Sequence, residues 1–458
     1  MKTVKDWGVL VNNKWLNGNL SGLILFKIYS MNVLVLGSGG REHAISWKLS
    51  QSSLMEQLYI APGNAGTSQV GTNVELDPMD FDGIAKFVSE NNVQMIVVGP
   101  EQPLVAGIKD YFAAKKDLKV SVIGPSAQAA KLEGSKNFAK QFMMKHNIPC
   151  AKSESFTKST KSKASSFLAT LNPPYVIKAD GLAAGKGVII CETLKEAKTV
   201  VKDMLINGVY GEAGKRIVIE EFLKGIEVSM FVVTDGQGYK LLPSAKDYKR
   251  VGEGDSGPNT GGMGAISPVP IVTREFMEKA KNQVIIPTLN GLKKDEIDFE
   301  GFIFFGLMKV GGDPYVIEYN ARLGDPETEV IIPRIKSDLL HIFDGIATKT
   351  LSECDVEIDE KTVTTVFLTS DGYPGKYKKG MEVTGLDDVD KSTVFHAGTT
   401  TKKGKVVTNG GRVLAVSSSG MGIENALKKS YESIEKIKFK GKSFRKDIGF
   451  DLVKEAVK

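Results

Sequence analysis

Polar side chains occupy alternate positions on a β-favouring segment that ends near residue 320. Glu318, Asn320 and Arg322 are each separated by one residue, and the apolar residues 315–317 lead into them. Alternate residues of a strand share one face, so Glu318, Asn320 and, if the strand continues that far, Arg322 are predicted to lie in a row. A carboxylate and an amide oxygen suit Mg²⁺, and a guanidinium suits phosphate or carboxylate. The pattern alone also fits a solvated strand face, but the Gly-Asp-Pro-Glu continuation at 324–327 favours a nucleotide site.

A second group of charged residues surrounds a glycine-rich turn. Lys178 ends one apolar segment, and Lys186 lies within the turn just before the next apolar segment. A Walker A loop is excluded, because Asp180 stands at the first glycine position and Gly187 replaces the Ser or Thr that binds Mg²⁺. Two β segments joined by such a turn predict a hairpin lid, with its tip at 183–187, that closes over phosphate oxygens.

Two further segments could bind parts of a nucleotide or a small anion. Residues 217–223 are predicted to form a strand running into a hinge, with Glu227 beyond it. Such a hinge can offer backbone groups to adenine and a carboxylate to ribose, although an acidic edge strand would have the same sequence. Residues 257–265 are rich in glycine, which lets backbone amides approach an anion closely. Their Pro-Asn-Thr centre argues against a flexible linker.

A glycine turn at residues 37–40 follows a short apolar strand and opens a predicted helix. Backbone amides at such a helix start can bind a phosphate, and the adjacent Arg41 favours this interpretation over a turn without a ligand. A dinucleotide fingerprint would need glycine where Glu42 stands and an acid after the second strand, where residues 61–63 are Ala-Pro-Gly. The sequence therefore disfavours nicotinamide dinucleotide binding. His43 is predicted to be a packing or capping residue.

The elements that position these groups belong to a globular chain of several domains. It has 458 residues, a net charge of +6 and 41% hydrophobic residues, with no basic stripe of the kind that binds nucleic acid. No apolar run reaches the length of a membrane helix. The three cysteines have no paired or metal-binding spacing and are predicted to be reduced thiols: Cys150, Cys191 and Cys354.

Hydrophobic patterning changes along the chain. After Met31, short apolar strands alternate with helical segments, which predicts a parallel sheet covered on both faces. Antiparallel hairpins with one helix follow, then a glycine-rich loop, a long helix, two long strands, a helix from Glu327 and a mixed C-terminal region. The predicted strands are 32–36, 58–61, 95–98, 120–123, 363–369 and 412–417, the predicted helices are 42–50, 195–207, 273–292 and 423–436, and the loop is 240–265.

Taken in order, these motifs resemble those of the ATP-grasp enzymes and, among them, the glycinamide ribonucleotide synthetase (phosphoribosylamine–glycine ligase) family. The resemblance covers residues 31–458, and GPNTGGMGA together with NGGRVL is its most specific part. The matching motifs are GSGGREHA (37–44), APGNAG (61–66), VGPE (98–101), LEGSK (132–136), IKADGLAAGKGV (177–188), IEEFL (219–223), GPNTGGMGA (257–265), HAGT (396–399), NGGRVL (409–414) and the Glu318–Thr328 row.

The resemblance implies a multidomain fold of the α/β and α+β classes. We expect residues 1–30 to be an extension outside the fold and residues 31–135 to form a parallel-sheet domain. Residues 136–355 would form the two-lobed ATP-grasp region, with a small inserted lobe at about 152–224, and residues 356–458 would form a C-terminal α+β domain.

The resemblance also assigns roles to residues of this chain. Arg322, Lys186 and Asp247 would be catalytic, and Glu318 and Asn320 would bind Mg²⁺ or Mn²⁺. ATP would contact Lys136, Lys178, Lys186, Glu220, Glu221, Phe222, Leu223 and Glu227. Glycine and phosphoribosylamine would contact Gly39, Gly40, Asn64, Glu101, Asp247, Lys249, Pro258, Asn259, Thr260, Gly261 and Arg322. The chain departs from its relatives at two charged or polar positions. Tyr248 replaces a common histidine, and Glu329 replaces a glutamine.

The implied activity is ATP-dependent ligation of glycine to 5-phosphoribosylamine through a glycyl phosphate, in purine biosynthesis. Small molecules would be the partners of a cytoplasmic monomer that binds neither nucleic acid nor membrane. Another ATP-grasp carboxylate–amine ligase or carboxylase is the nearest alternative. A dinucleotide-binding oxidoreductase is disfavoured by Glu42, and a non-catalytic sensor by the presence of the lysines and the Glu-x-Asn pair.

Overall fold

A parallel α/β unit opens the fold in the computed structural model, which describes residues 30–182 and 187–455. Residues 1–29 of the predicted extension and residues 183–186 of the predicted lid, including Lys186, lie outside the described residues. The first elements are β1 (Met31–Gly37), α1 (Gly40–Leu49), β2 (Met55–Pro62), β3 (Thr72–Asn73), α2 (Phe81–Glu90), β4 (Met95–Val98), α3 (Glu101–Val105), α4 (Ile108–Ala114), β5 (Ser121–Ile123), α5 (Ala127–Gly134) and α6 (Lys136–Lys145).

The sheet of this unit has the order β3-β2-β1-β4-β5, and every pairing in it is parallel. Successive residues of β1 serve two cores, because Val33 and Val35 pack in one apolar cluster while Leu34 and Leu36 pack in another. The prediction of a parallel sheet covered on both faces is confirmed. The loops after β1, β2 and β4 meet at the carboxyl edge, where such sheets bind ligands.

A small antiparallel lobe follows, with the strand order β6-β9-β7-β8. It has an apolar core of its own, which includes Phe156, Leu168 and Ile177. The predicted hairpins and the helix near 195–207 are confirmed. The elements are β6 (Ser153–Thr157), α7 (Lys161–Leu168), β7 (Tyr175–Ala179), β8 (Val188–Cys191), α8 (Leu194–Leu205) and β9 (Arg216–Glu221).

The larger lobe is built on a second antiparallel sheet, ordered β11-β10-β16-β17. The helix predicted at 273–292 is present but contains a π-helical turn at Lys281–Ile285. The elements are β10 (Ile226–Thr234), β11 (Tyr239–Leu241), β12 (Lys246–Asp247), β13 (Arg250–Gly252), β14 (Ser256–Asn259), β15 (Gly264–Ser267), α9 (Arg274–Ala280), α10 (Ile286–Lys294), β16 (Gly301–Val310), β17 (Asp313–Asn320), α11 (Thr328–Ile331) and α12 (Leu339–Ala347).

The C-terminal region completes a six-stranded sheet with the path β12-β15-β18-β22-β19, to which β23 adds on β18. Its elements are β18 (Thr362–Ser370), β19 (Thr393–His396), β20 (Thr399–Lys402), β21 (Lys405–Thr408), β22 (Arg412–Gly420), α13 (Ile423–Lys436), β23 (Lys442–Ser443) and α14 (Leu452–Glu455).

This sheet crosses the predicted domain boundary at residue 355. β15 pairs antiparallel with β18, so part of the segment predicted as a glycine-rich loop forms short strands instead. The loop prediction was wrong for β12–β15, because their main chains pair with tertiary or hairpin partners that local composition does not encode. Among residues 30–182 and 187–455, no helix is both long and apolar enough to cross a membrane.

Candidate functional site

The strand β17 carries Glu318 and Asn320 on the face opposite the buried Tyr319, as the alternation predicted. Gly306 of β16 lies directly opposite Glu318, and a Cβ on that glycine would be only 2.9 Å from Glu318 Cγ. Glycine at this position therefore makes room for the carboxylate. Ile317 has no partner across the pair, and its carbonyl accepts a hydrogen bond from Lys178 Nζ at 3.0 Å.

Cations from several elements surround Glu318. Lys249 Nζ lies 3.8 Å from Glu318 Oε1. Burial opposes the charge of this carboxyl, but the net effect of the basic neighbours holds its pKa below the ordinary value; these neighbours are Lys249, Lys178, Lys136 and Arg322. Basic side chains from several elements directed at one carboxylate suit a site that also takes an anionic ligand such as a triphosphate.

Lys178 is held in place by a buried carboxylate of the small lobe. Glu220 Oε1 lies 3.1 Å from Lys178 Nζ, and Glu220 Oε2 lies 3.1 Å from Lys140 Nζ. Burial opposes ionisation of Glu220, but the two lysines lower its pKa. The Glu220 carboxylate therefore orients lysines, and a contact with adenine would have to come from the backbone of its segment.

The hinge predicted to hold adenine connects the two antiparallel sheets. Glu221 ends β9, and its Oε1 accepts the Lys152 amide at 2.7 Å. Phe222 is 39% exposed, whereas Leu223 is half-buried. Residues 222–225 then lead into β10, so their backbone lies between the lobes.

Lys136 begins α6 beside the start of the glycine-rich turn. Its amide donates to Asp180 O at 3.2 Å, and its Nζ donates to Gly181 O at 3.4 Å. Ser135 caps the helix by accepting the Phe138 amide. Burial lowers the pKa of Lys136. The structure thus brings Lys136 close to Lys178 and to Gly181, at the start of the glycine-rich turn.

Lys249 forms the centre of an acidic cluster. It pairs with Glu227, the residue expected to hold ribose, and faces Glu318 and Asp247. Burial opposes its charge, but these three carboxylates raise the pKa of Lys249 well above its ordinary value. The resemblance predicted separate roles for these four residues, but the fold brings their charges into direct interaction: Asp247, Lys249, Glu227 and Glu318.

Two carboxyls of this region keep their protons unusually well. Burial raises the pKa of Asp247 to about 6. Lys249 lowers this pKa, and Glu227 raises it. Burial and Asp247 raise the pKa of Glu327 to about 8. Glu327 Oε1 accepts a hydrogen bond from Ser229 Oγ at 3.0 Å. No role was predicted for Glu327 from the sequence. Only its position in the Gly-Asp-Pro-Glu motif could have indicated that it lies in the site.

Arg322 lies beyond β17, between two carboxylates of the N-terminal unit. Its Nη2 lies 2.8 Å from Glu133 Oε1, and its Nε lies 3.6 Å from Glu101 Oε2. Although burial opposes ionisation, Arg322 and Arg41 lower the pKa of Glu101. Glu133 also accepts the Ala321 amide at 2.8 Å. No role was predicted from the sequence for Glu133, which was noted only as part of the LEGSK motif.

The glycine turn after β1 is filled by a carboxylate from its own helix. Glu42 Oε2 accepts the Gly39 amide at 2.6 Å, and Glu42 Oε1 pairs with Arg41 Nε at 2.6 Å. A Cβ on Gly39 would lie 2.8 Å from Glu42 Oε2. The Gly39 amide is therefore engaged by Glu42 in this structure, and a phosphate contact at this turn stays a prediction. Gly40 similarly leaves space for the buried Glu329 carboxyl.

Asn64 and His43 tie the N-terminal loops to the C-terminal region. Asn64 Nδ2 donates to Ser38 O at 2.9 Å and to His396 O at 2.8 Å, and its Oδ1 accepts two amides of its own loop. His43 Nδ1 accepts the His396 amide at 2.8 Å, which confirms a packing role for His43. The side chain of Asn64 is engaged on both its oxygen and its nitrogen, so its contact with substrate remains a prediction.

The Pro-Asn-Thr segment lies against Lys249. Pro258 and Asn259 end β14, and Asn259 pairs with Arg250. The Thr260 amide and hydroxyl both donate to Lys249 O, at 2.7 and 2.8 Å. Tyr248 turns the other way, and its hydroxyl donates to Asp451 Oδ1 at 2.7 Å.

The donor atoms of β17 fit a divalent metal that takes most of its ligands from elsewhere. Glu318 and Asn320 offer two hard oxygens, and the described residues contain no cluster of three His, Cys, Asp or Glu side chains that could hold a metal ion. Mg²⁺ is commonly bound by one or two carboxylates together with waters and substrate phosphates. The site therefore fits a metal that arrives with a nucleotide better than a metal enclosed by protein.

Three family models match the chain in sequence order. The phosphoribosylglycinamide synthetase N domain matches residues 31–133, the ATP-grasp (A) domain residues 134–328, and the C domain residues 363–451. The phosphoribosylamine–glycine ligase of Halalkalibacterium halodurans is 45% identical over 93% of this chain and 98% of its own length. That of Pseudomonas aeruginosa is 45% identical over 92% of this chain and 98% of its own length.

Solved structures agree with these matches. A phosphoribosylamine–glycine ligase from Thermotoga maritima has a TM-score of 0.78 and 37% identity, covering 91% of this chain and 99% of its own. The biotin carboxylase domain of 2-oxoglutarate carboxylase from Hydrogenobacter thermophilus, solved with magnesium ADP, has a TM-score of 0.69 at 15% identity and covers 90% of this chain and 91% of its own. The second likeness shows a shared fold only. With all three domain models matched in order and relatives 45% identical over nearly their whole length, the chain belongs to the phosphoribosylglycinamide synthetase family.

Proposed function

We propose that this chain is an ATP-dependent ligase that joins glycine to 5-phosphoribosylamine, giving glycinamide ribonucleotide, ADP and phosphate in purine biosynthesis. The observation that carries the proposal is the Glu318–Asn320 face of β17, with cations from both lobes and the N-terminal unit directed towards it. The curated relatives bearing this activity's name align over almost the full chain.

ATP would lie between the two antiparallel sheets. The hinge after Glu221 would hold adenine through its backbone, and Glu227 would bind ribose in exchange for part of its pairing with Lys249. Lys136 and Lys178 would contact the phosphates, together with Lys186 from the tip. Glu318 and Asn320 would hold Mg²⁺ or Mn²⁺, which neutralises phosphate charge when bound.

Activation of glycine requires charge neutralisation more than a protein nucleophile. A carboxylate is a poor electrophile until a phosphoryl group is transferred to it, and such transfer depends on positioning and electrostatic stabilisation. Arg322 would hold the glycine carboxylate beside the γ-phosphate, since Glu133 and Glu101 fix its guanidinium. The product of this step is glycyl phosphate.

The amine of phosphoribosylamine would then attack the glycyl carbonyl and displace phosphate. The attacking nitrogen must lose a proton, and a carboxylate with a pKa near 6 is a suitable acceptor at neutral pH. Asp247 has such a pKa, which burial raises to about 6. The loops with Gly39, Gly40, Asn64 and Glu101, together with residues 258–261, would enclose the acceptor substrate.

The deciding experiment measures phosphate release from ATP with glycine, with and without freshly generated phosphoribosylamine. We expect release only when both co-substrates are present, and formation of one glycinamide ribonucleotide per phosphate. Equal turnover with another amino acid, or turnover independent of the amine, would refute the assignment and favour another ATP-grasp ligase. The domain limits, a monomeric state and a cytoplasmic location remain predictions.

A further inference from the structure

Both polar groups of the Gly261 main chain are bound by side chains from the C-terminal region. The Gly261 amide donates to Tyr373 Oη at 3.0 Å, and Arg412 Nη1 donates to Gly261 O at 2.8 Å. Gly261 ends the Pro-Asn-Thr-Gly segment proposed to contact substrate. Two side chains from beyond residue 360 therefore set the orientation of this residue.

Arg412 joins the same segment to the Gly-Asp-Pro-Glu motif. Its Nη1 also donates to Asp325 O at 3.0 Å, and its Nη2 lies 2.9 Å from Asp325 Oδ1. The guanidinium carbon lies 4.5 Å from the centre of the Phe367 ring. A planar fork is needed to bind these partners together, and a lysine ammonium cannot reproduce it. We call Tyr373 and Arg412 the Gly261 clamp.

Local sequence is adapted to the clamp. A Cβ on Gly411 would lie 2.8 Å from Tyr373 Cε2 and 2.9 Å from Tyr377 Cε1, so glycine lets both rings approach. Gly262 has a φ of +119°, and a Cβ there would collide with Pro326. The glycines of two separate motifs thus permit one close approach between the C-terminal region and the substrate segment.

The clamp is connected to the charged centre of the site by a short series of contacts. Thr260, next to Gly261, donates through its amide and hydroxyl to Lys249 O. Lys249 pairs with Glu227, and its Nζ lies 3.8 Å from Glu318 Oε1. A change in the orientation of Gly261 would therefore reach Lys249 through one residue.

Apart from Glu227, which pairs with Lys249, the proposed nucleotide contacts are held by other groups. Within the described residues, Lys136, Lys178 and Glu220 make their hydrogen bonds and ion pairs with residues of the N-terminal unit and the two lobes only, none of them beyond residue 320. The Gly261 clamp is thus attached to the substrate side of the site and has no direct contact with the groups proposed to bind phosphate.

We propose that Tyr373 and Arg412 are positioning residues that orient the 258–261 segment for glycine and phosphoribosylamine, and not for ATP. This inference rests on the proposed function, because that function places the two substrates at this segment. It makes the C-terminal region a working part of the substrate pocket in addition to a structural support.

The test uses Tyr373→Phe in the full chain, with Tyr377→Phe as the matched control. The control removes the same phenolic oxygen from the neighbouring ring, which lies 6.4 Å away between centroids. We expect Tyr373→Phe to raise KM for glycine or phosphoribosylamine about tenfold, because the Gly261 amide loses its partner. KM for ATP should stay within about twofold, and Tyr377→Phe should leave all three values unchanged.

Arg412→Lys gives a second measurement on the same segment. Arg412→Lys should lower kcat/KM for the two substrates about thirtyfold. In the double variant, kcat/KM should fall by less than the product of the two single losses, because both side chains act through Gly261. Unchanged KM values in a folded Tyr373→Phe enzyme, or an equal rise in KM for ATP, would overturn the proposal. If the unaltered chain itself lacks glycine- and amine-dependent turnover, the proposed function fails instead.

Discussion

Glu133 and Arg322 form a two-point contact across the boundary between the N-terminal unit and the larger lobe. One carboxylate oxygen lies 2.8 Å from Arg322 Nη2, and the other accepts the amide of Ala321 at 2.8 Å. The carboxylate thus fixes both the guanidinium and the backbone from which it extends. The position of the proposed glycine-binding arginine depends on a residue 189 positions earlier in the chain.

Replacing Glu133 by alanine should impair both stability and catalysis. Loss of Glu133 breaks a buried ion pair and leaves Glu101, 3.6 Å from Arg322 Nε, as the nearest carboxylate, which costs about 3 kcal/mol of unfolding free energy. A misplaced Arg322 should lower kcat/KM for glycine about a hundredfold. Denaturant unfolding and initial rates measure the two effects. Glu300→Ala, which breaks the ion pairs of Glu300 with Lys109 and Lys349 elsewhere, should reduce stability without that kinetic loss. Equal kinetic losses would contradict a specific role for Glu133.

Replacing Glu318 by alanine should lower turnover about a thousandfold while the fold stays intact, because charge stabilisation of phosphoryl transfer is lost. Binding of Mn²⁺ in the presence of ADP, followed by electron paramagnetic resonance, should weaken in parallel. Asp313→Ala, at the other end of β17, should change neither quantity. A near-normal rate in Glu318→Ala would place the metal elsewhere.

Replacing Glu327 by glutamine should leave the acidic limb of the pH–rate profile in place and alter the profile only near pH 8. Asp247 must be ionised to accept a proton, so activity should rise with pH through about 6 in the unaltered enzyme. Burial and the charge of Asp247 raise the pKa of Glu327 to about 8, so Glu327 is still protonated where Asp247 ionises. Glutamine, which is always neutral, should therefore keep the limb near pH 6 and remove only the change in rate that ionisation of Glu327 causes near pH 8.

The measurement for Glu327→Gln is kcat/KM for phosphoribosylamine between pH 5 and 9. Ser229→Ala, which removes only the hydroxyl that donates to Glu327, serves as the comparison and should raise the pKa of Glu327 further. A profile whose acidic limb moves to another pH in Glu327→Gln would contradict the assigned order, in which Asp247 ionises before Glu327.

Replacing Glu329 by glutamine should stabilise the protein at alkaline pH. Both carboxyl oxygens of Glu329 are buried without a hydrogen-bond partner among the described residues, and burial together with Asp325 raises its pKa well above the ordinary value of 4.5. The folded chain keeps a proton that the unfolded chain releases above about 4.5, so the unaltered protein loses stability as pH rises from there towards the raised pKa.

A neutral amide at position 329 removes this pH dependence. The thermal midpoint of Glu329→Gln should exceed that of the unaltered protein at pH 8.5, and the difference should shrink towards pH 5. Glu75→Gln, at an exposed position, is the control and should show no such trend. A difference that grows as the pH falls would contradict the assigned direction of the pKa shift.

Local patterns in the sequence were sufficient for most of the longer strands and helices and for the Glu318–Asn320 row. The period of two placed Glu318 and Asn320 on one face because that geometry needs no distant partner. The apolar runs of β1 and β4 predicted a covered parallel sheet for the same reason. The family motifs also singled out Lys136, Lys178 and Lys249, whose contact with an anionic ligand stays a prediction.

Tertiary structure alone decided which charges meet. Glu133 and Arg322 are 189 residues apart, and Arg412 and Gly261 are 151 residues apart, so neither contact follows from local spacing. The occupation of the Gly39 amide by Glu42 depended on the packing of that turn against Gly99 and could not be distinguished from a free phosphate site by composition. Residue types and periods therefore determined what chemistry the chain carries, whereas the pKa values and partners of those groups arise only from burial and long-range contacts.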